Sequence, residues 1–242
     1  MIVEICVQSL EGAIMAQEYG ADRIELCSAL EVGGLTPSMG LFTEVKRRIN
    51  IPVHVLIRPR VGGFYYTPQE VQTMIQDITL FTEAGAEGMV IGALNPDFSL
   101  DKQTMQELIA AAKCINTKMY ITAHRAFDWT PDPIAAAQIL TELGCQTLLS
   151  SGQADNAVQG LELLKTLNQR FGDQLTIMPG SGINAQNRPL FTQAGFQAIH
   201  ASASTMIRES QPQTNVSFEE SRQPGQRRAI NRKNLKDLLG PS

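Results

Sequence analysis

Residues 1–28 read MIVEICVQSLEGAIMAQEYGADRIELCS, and this stretch contains the unit that decides the fold. An apolar run over residues 2–7 predicts a buried β-strand, an amphipathic segment over 10–19 predicts a helix, and a second apolar run begins at Arg23. The same alternation occurs eight times along the chain. Strands and helices that alternate through short connections are typical of a parallel sheet, and eight such units favour closure. The sequence therefore predicts a single (β/α)8 TIM-type barrel of the α/β class over residues 1–207.

The predicted strands and helices follow one another at regular spacing. The strands are 2–7, 23–27, 53–57, 88–92, 119–124, 147–150, 176–178 and 198–201, and the helices lie near 10–19, 38–48, 68–84, 101–113, 132–143, 155–169 and 185–194. Thr67-Pro68-Gln69-Glu70 predicts the start of the third helix, because it combines an N-cap, a proline at the first helical position and the glutamate of a capping box. Glycines such as Gly20 and Gly85 follow predicted helix ends, where glycine readily takes the left-handed conformation that closes a helix.

An open, doubly wound sheet is the alternative architecture. Its Gly-rich fingerprint would follow the first strand, but Cys6-Val7-Gln8-Ser9 contains no glycine. Residues 208–242 do not continue the repeat: 210–226 are rich in Gln, Ser and Pro, and 231–239 predict one short helix. We expect this irregular C-terminal extension to pack on the barrel or on a partner subunit.

Size and composition limit the class of protein. A chain of 242 residues suits one barrel domain, and 43% hydrophobic with 18% charged residues is typical of a soluble globular protein. No run approaches the roughly 20 apolar residues of a membrane span, and the start at Met1 has no basic region of a signal peptide. The net charge of −4 gives no electrostatic reason to bind nucleic acid. We expect a cytoplasmic protein that binds neither membranes nor nucleic acid.

The four cysteines show no paired spacing, which predicts reduced thiols in a cytosolic protein. Cys114 and Cys145 fall near helix ends, where a small buried hydrophobe is expected. Cys6 and Cys27 end the first two strands, whose backbones should lie about 5 Å apart. Two inward thiolates so placed suit a soft ion such as Cu(I). The alternative interpretation is that both are small apolar residues of the interior.

Strand alternation predicts which side chains face the barrel axis. This inward set is Glu4, Cys6, Glu25, Cys27, His54 and Arg58. A buried carboxylate is costly unless it is paired. Glu4 and Glu25 therefore either join a structural network with arginines or serve as general bases with a shifted pKa.

Further acid–base groups follow the fifth strand. His124, Arg125 and Asp128 lie together at its exit, and such a set can hold an anion and transfer a proton. A lone histidine in a strand is more often structural, so this interpretation depends on the neighbouring residues. The predicted catalytic candidates are Glu4, Glu25, His124 and Asp128.

The turn Gly180-Ser181-Gly182 follows the seventh strand and precedes a helix. Barrels often bind phosphate at this place through backbone N–H groups, although a tight strand-to-helix turn is the alternative. His200 and Ser202 from the eighth strand would complete such a pocket. The predicted anion-binding residues are Arg58, Arg60, Arg125, Gly180, Ser181, Gly182, His200 and Ser202.

Seven segments in order together resemble the CutC family, proteins named for copper homeostasis. They are Glu4-Ile5-Cys6-Val7, Ala21-Asp22-Arg23-Ile24-Glu25-Leu26-Cys27-Ser28, Gly33-Gly34-Leu35-Thr36-Pro37-Ser38, Ile57-Arg58-Pro59-Arg60, His124-Arg125-Ala126-Phe127-Asp128, Ser150-Ser151-Gly152 and Pro179-Gly180-Ser181-Gly182-Ile183. The resemblance covers most of residues 1–205. It implies a TIM-type barrel, a cytoplasmic location and homodimers or larger homo-oligomers, and the family's proposed Cu(I) ligands match Cys6 and Cys27.

The chain departs from the family pattern at two places on the presumed rim. Arg60-Val61-Gly62-Gly63-Phe64 stands where the family tends to have Arg-Gly-Gly-Asp-Phe, and Ser181 stands where a third glycine is usual. Two functions follow from the sequence. The first is a role in copper homeostasis with Cu(I) bound by Cys6 and Cys27. The alternative is a barrel enzyme, with no reaction assigned, that acts on a small phosphorylated or carboxylated metabolite.

Overall fold

The computed structural model describes residues 1–208 and 226–240. Its elements are β1 (Ile2–Val7), α1 (Leu10–Glu18), β2 (Arg23–Leu26), α2 (Met39–Arg48), β3 (Val53–Leu56), α3 (Pro68–Glu83), β4 (Gly88–Ile91), α4 (Lys102–Ile115), β5 (Tyr120–Ala123), α5 (Pro133–Glu142), β6 (Thr147–Ser150), α6 (Leu161–Phe171), β7 (Thr176–Pro179), α7 (Arg188–Gln193), β8 (Ala198–Ala201), β9 (Ser204–Arg208), β10 (Gln226–Ile230) and α8 (Arg232–Leu239). Short 3-10 helices span Leu30–Val32 and Arg125–Trp129.

Strands β1 to β8 form one parallel sheet in the order β7-β6-β5-β4-β3-β2-β1-β8. β7 and β8 contact each other, although no ladder joins them in the described part of the chain. The sheet is therefore a nearly closed barrel with helices between its strands. The predicted (β/α)8 barrel is confirmed, and the open doubly wound sheet is excluded.

Local signals explain several of the helix boundaries. At the start of α3, the Thr67 side chain accepts from the Glu70 N–H and the Glu70 carboxylate accepts from the Thr67 N–H, as the capping box predicts. At its end, Gly85 has a φ of 91°, its N–H bonds the Thr82 carbonyl, and the Ala86 N–H bonds the Phe81 carbonyl. These two bonds form the Schellman motif that closes the helix.

Two helices begin later than the sequence predicts. α6 begins at Leu161 rather than near residue 155, because Asn156 accepts hydrogen bonds from the N–H groups of Val158 and Gln159 and holds this stretch in turns. α7 begins at Arg188 rather than near residue 185.

The barrel strands sort their side chains as alternation predicts. Val3, Ile5 and Val7 belong to the large core that includes buried helix residues. Cys6 and Cys27 instead form a separate interior cluster with Leu56 and Val90. Register places Cys6 opposite Glu25 and Glu4 opposite His200. The inward-facing polar groups of β1, β2 and β8 are thereby brought together inside the barrel.

The described part of the C-terminal extension contains two strands that the sequence did not predict. β9 and β10 pair antiparallel, and α8 follows them within the predicted segment 231–239. Leu235 and Leu238 of α8 are buried in the main core, and Arg188 donates a hydrogen bond to the Leu238 carbonyl. Residues 209–225, most of the Gln-, Ser- and Pro-rich segment, lie outside the described residues.

The sequence also predicts that Cys114 and Cys145 are small buried residues. Cys145 is buried as expected, but Cys114 is exposed, because it lies on the outer side of α4. No helix in residues 1–208 or 226–240 combines the length and apolar character that a membrane span requires.

Candidate metal and ligand site

A cavity of about 720 Å³ opens at the carboxyl ends of the barrel strands. Nine of the predicted site residues line it: Cys6, Glu25, Arg58, His124, Arg125, Ser181, Gly182, His200 and Ser202. The extension contributes lining residues that were not predicted from the sequence, namely Arg228 of β10 and Asn234, Asp237 and Leu238 of α8. No local pattern marks these residues, because they reach the cavity only when the extension folds back over the barrel.

The structure places Arg60 away from this cavity. Its guanidinium pairs with Glu70 and also donates to the Tyr65 carbonyl at 2.7 Å. Glu70 is the capping glutamate of α3, so the same carboxylate closes the helix and holds the arginine. The predicted anion-binding set is therefore not brought together as a whole.

Asp128 also lies outside the cavity lining. Its carboxylate accepts hydrogen bonds from the hydroxyls of Ser150 at 2.6 Å and Ser151 at 2.9 Å, and from Arg125 at 2.8 Å. These bonds join the exits of β5 and β6.

The two predicted thiols lie side by side. Cys6 Sγ and Cys27 Sγ are 3.5 Å apart, and Cys6 Sγ also lies 3.3 Å from Glu25 Oε1. Cys6 lines the cavity, whereas Cys27 is fully buried behind it. The hydrogen bond with Cys27 and burial raise the pKa of the Cys6 thiol well above its usual value. The described cysteines are all free thiols.

A carboxylate and an imidazole complete a donor group with Cys6. The ligand atoms of Cys6, Glu25 and His200 all lie within 4.8 Å of one another. Glu25 Oε2 is buried and has no hydrogen-bond partner among the described residues, and burial raises the pKa of this carboxyl. Neither of its oxygens forms an ion pair with an arginine in the described chain, so the structural interpretation of Glu25 is not supported.

Glu4 has a different environment below the cavity. Its carboxylate lies 2.5 Å from Arg23 Nε and 2.8 Å from His200 Nδ1, and it is completely buried. Burial alone would raise its pKa, but the hydrogen bond with His200 and the charge of Arg23 lower the pKa to about 2. Glu4 is therefore an ionised member of a buried network that orients His200.

His124 presents a neutral donor to the cavity. Its Nδ1 accepts a hydrogen bond from the Ala126 N–H at 3.1 Å, which places the ring proton on Nε2. Burial, with the nearby charge of Arg58, lowers the pKa of His124 to about 3. Nε2 is buried, and no described residue is its hydrogen-bond partner. Arg58 has less capacity to donate hydrogen bonds to a ligand, because its two terminal nitrogens already donate to three backbone carbonyls.

The turn after β7 has few hydrogen bonds from its backbone N–H groups in the described part of the chain. The Gly180 N–H bonds the Ser150 carbonyl at 2.9 Å, but the N–H groups of Ser181, Gly182 and Ile183 have no acceptor among the described residues. Ser181 takes a φ of 76°, a left-handed conformation held by the bond from its hydroxyl to the Asp155 carbonyl. Three backbone donors therefore remain available at the cavity wall.

The barrel and its mouth, which is the cavity at the carboxyl ends of the strands, define the class of protein. It is a TIM-type barrel protein with thiol, carboxylate and imidazole groups at the carboxyl ends of its strands, where such barrels carry their sites. A match to the CutC family extends over residues 1–205, and the chain belongs to the CutC family.

Relatives agree with this assignment. A CutC family protein of Salmonella enteritidis is 44% identical over 206 residues, which are 85% of this chain and 81% of that protein. One from Pasteurella multocida is 42% identical and covers 84% and 82% of the two chains. A solved structure from Streptococcus agalactiae, described as a copper homeostasis protein CutC, superposes with a TM-score of 0.78 at 28% identity, covering 84% of this chain and 98% of that one.

Proposed function

We propose that this protein acts in cytoplasmic copper homeostasis and binds one Cu(I) ion between Cys6 and Cys27 at the mouth of the barrel. The observation that carries the proposal is the distance of 3.5 Å between the two sulfur atoms. A thiolate sulfur lies about 2.3 Å from a bound metal such as zinc. Because 3.5 Å is less than twice that length, one ion of similar size can contact both sulfurs.

The chemistry of the pair also fits a soft ion. Thiolates select Cu(I) over harder cations, and the solved relative from Streptococcus agalactiae is described as a copper homeostasis protein. The thiols must lose their protons when the metal binds. Glu25 Oε1, 3.3 Å from Cys6 Sγ, accepts the Cys6 proton, and its raised pKa suits that role.

The test is an anaerobic Cu(I) titration against a competing chelator. Wild-type protein should bind one equivalent, and Cys6→Ser and Cys27→Ser should each lose most of the affinity. Cys114→Ser is the matched control, because Cys114 is an exposed thiol on α4. The proposal fails if the Cys6→Ser/Cys27→Ser double variant binds copper as tightly as wild type does.

A second candidate function is an enzyme or binding protein for a small phosphorylated or carboxylated metabolite. The cavity of about 720 Å³ is far larger than one ion needs. At its wall, His124 Nε2 and the N–H groups of Ser181, Gly182 and Ile183 are donors without an acceptor in the part of the chain that the structure describes. In this candidate, His124 donates to a ligand oxygen, the turn holds the anion, and Glu25 is the available base.

A metabolite screen by thermal shift separates this candidate from the first, because a ligand that binds only the folded state raises the melting temperature. A hit should lose its effect in Arg125→Ala, which changes the cavity, and keep it in Arg47→Ala, which changes an exposed helix residue. If no small anion stabilises the protein with or without Cu(I), the second candidate is abandoned.

The homo-oligomeric state of the protein stays a prediction. Light scattering after gel filtration measures it.

A further inference from the structure

We propose that the mouth also contains a divalent-cation site of the zinc type, formed by Cys6 Sγ, a carboxylate oxygen of Glu25 and Nε2 of His200. This site differs from the copper pair in its metal and in two of its ligands, and it shares only Cys6 with that pair. The inference does not depend on copper binding.

The donor atoms lie close to the spacing that one ion requires. Zn²⁺ lies about 2.0–2.3 Å from nitrogen, oxygen and sulfur ligands, so two atoms bound to one ion are at most about 4.6 Å apart. Cys6 Sγ, a Glu25 oxygen and one ring nitrogen of His200 lie within 4.8 Å of one another, and Cys6 Sγ is 3.3 Å from Glu25 Oε1. Small side-chain rotations are enough to place all three on one ion.

An unpartnered oxygen points to a ligand at this place. Glu25 is 5% exposed, and its Oε2 has no hydrogen-bond partner within residues 1–208 and 226–240. A buried polar atom without a partner costs free energy, and such atoms are rare in folded proteins. A cation bound by Glu25 removes this cost and favours the ionised carboxylate.

Glu4 orients the third ligand, His200. His200 Nδ1 lies 2.8 Å from Glu4 Oε1, and Glu4 is itself fixed by Arg23. Histidines that bind metals commonly bond a carboxylate through their other ring nitrogen, which sets the tautomer and the direction of the ring. Nε2 of His200 is thus the available ligand atom, and His200 lines the cavity.

Three protein ligands leave one position of a four-coordinate ion open, and all three ligand residues line the cavity. Catalytic zinc sites have this arrangement, in which the metal polarises a bound water or a ligand oxygen. The ligand class is therefore a small oxygen anion that contacts the metal and the donors of the cavity wall. Because both metals use Cys6, Cu(I) bound at the thiol pair should displace the divalent cation.

Co²⁺ serves as the spectroscopic probe for Zn²⁺, since thiolate coordination gives a sulfur-to-cobalt charge-transfer band. Co²⁺ and Cu(I) are titrated separately into wild type, Cys6→Ser, Cys27→Ser and Glu25→Gln. Cys27→Ser should keep the cobalt band while Cu(I) binding is lost. Glu25→Gln should weaken Co²⁺ binding at least about tenfold. Cys6→Ser should lose both metals, and Zn²⁺ should abolish the band in wild type.

Three outcomes would overturn the site: no cobalt–sulfur band in wild type, loss of Co²⁺ binding in Cys27→Ser, or unchanged Co²⁺ affinity in Glu25→Gln. Failure of the copper proposal is a different result, namely Cu(I) binding that persists in Cys27→Ser. Circular dichroism checks that each variant is folded. If Glu25→Gln does not fold, Glu25→Asp replaces it, and its shorter side chain should weaken Co²⁺ in the same direction.

Discussion

Two glycines leave room for imidazoles inside the barrel. A Cβ atom added at Gly88 would lie 2.5 Å from the His54 ring, and one added at Gly92 would lie 2.4 Å from the His124 ring. Neither glycine has a positive φ, so the requirement is for space and not for an unusual backbone conformation. These glycines start and follow β4, which lies between the strands that carry the two histidines.

Gly92→Ala should displace His124 and destabilise the fold by about 1–3 kcal/mol, the usual cost of overpacking an interior. Urea unfolding at neutral pH measures the change in the free energy of unfolding. Gly40→Ala is the matched control, because its new Cβ would meet only Ser38 Oγ at 3.9 Å. Equal stability of the two variants would show that the His124 ring accommodates the methyl group without cost.

At the scale of the element, the capping box of α3 makes a measurable contribution. Thr67→Ala removes the side-chain acceptor for the Glu70 N–H, and loss of such a cap costs about 0.5–2 kcal/mol. Thr73→Ala is the control, since Thr73 lies on the same helix and is exposed. Chemical denaturation of both variants decides the point; a cost for Thr73→Ala equal to that of Thr67→Ala would contradict it.

The last helix, α8, should be needed to hold its part of the cavity wall in place. Leu235 of α8 is fully buried, and Leu→Ala at such a position costs about 2–5 kcal/mol. Leu235→Ala should speed amide hydrogen exchange in residues 226–240, whereas Lys233→Ala on the exposed side should not. Mass spectrometry of exchanged peptides measures this difference, and equal exchange in the two variants would argue that α8 is held by other contacts.

The sequence could predict those features that follow from local periodicity. Alternation in the first two strands brought Cys6 and Cys27 together, and the structure confirms their proximity. The sequence could not predict that Glu70 takes Arg60 away from the cavity, because that outcome depends on a competing partner. The strands β9 and β10 were missed for a related reason: their pairing joins segments that are separated in the chain and individually weak.

For the molecule as a whole, buried ionisable groups connect stability with pH. Burial lowers the pKa of His54 to about 4 and that of His124 to about 3, against about 6.5 in an unfolded chain. Glu4, with a pKa of about 2, acts in the same direction at lower pH. Glu25 opposes them, since its raised pKa favours the folded state as protons are added.

His54 should therefore contribute to acid destabilisation. Between about pH 6.5 and 4 the unfolded chain takes up a proton at His54 that the folded barrel refuses, so the free energy of unfolding falls with decreasing pH. One such proton corresponds to at most about 1.4 kcal/mol per pH unit. His54→Gln should reduce the slope of unfolding free energy by up to this amount between pH 6 and 4.5, measured by urea titration with chelator present. A slope that is unchanged in His54→Gln would mean that the buried imidazole accepts its proton without unfolding.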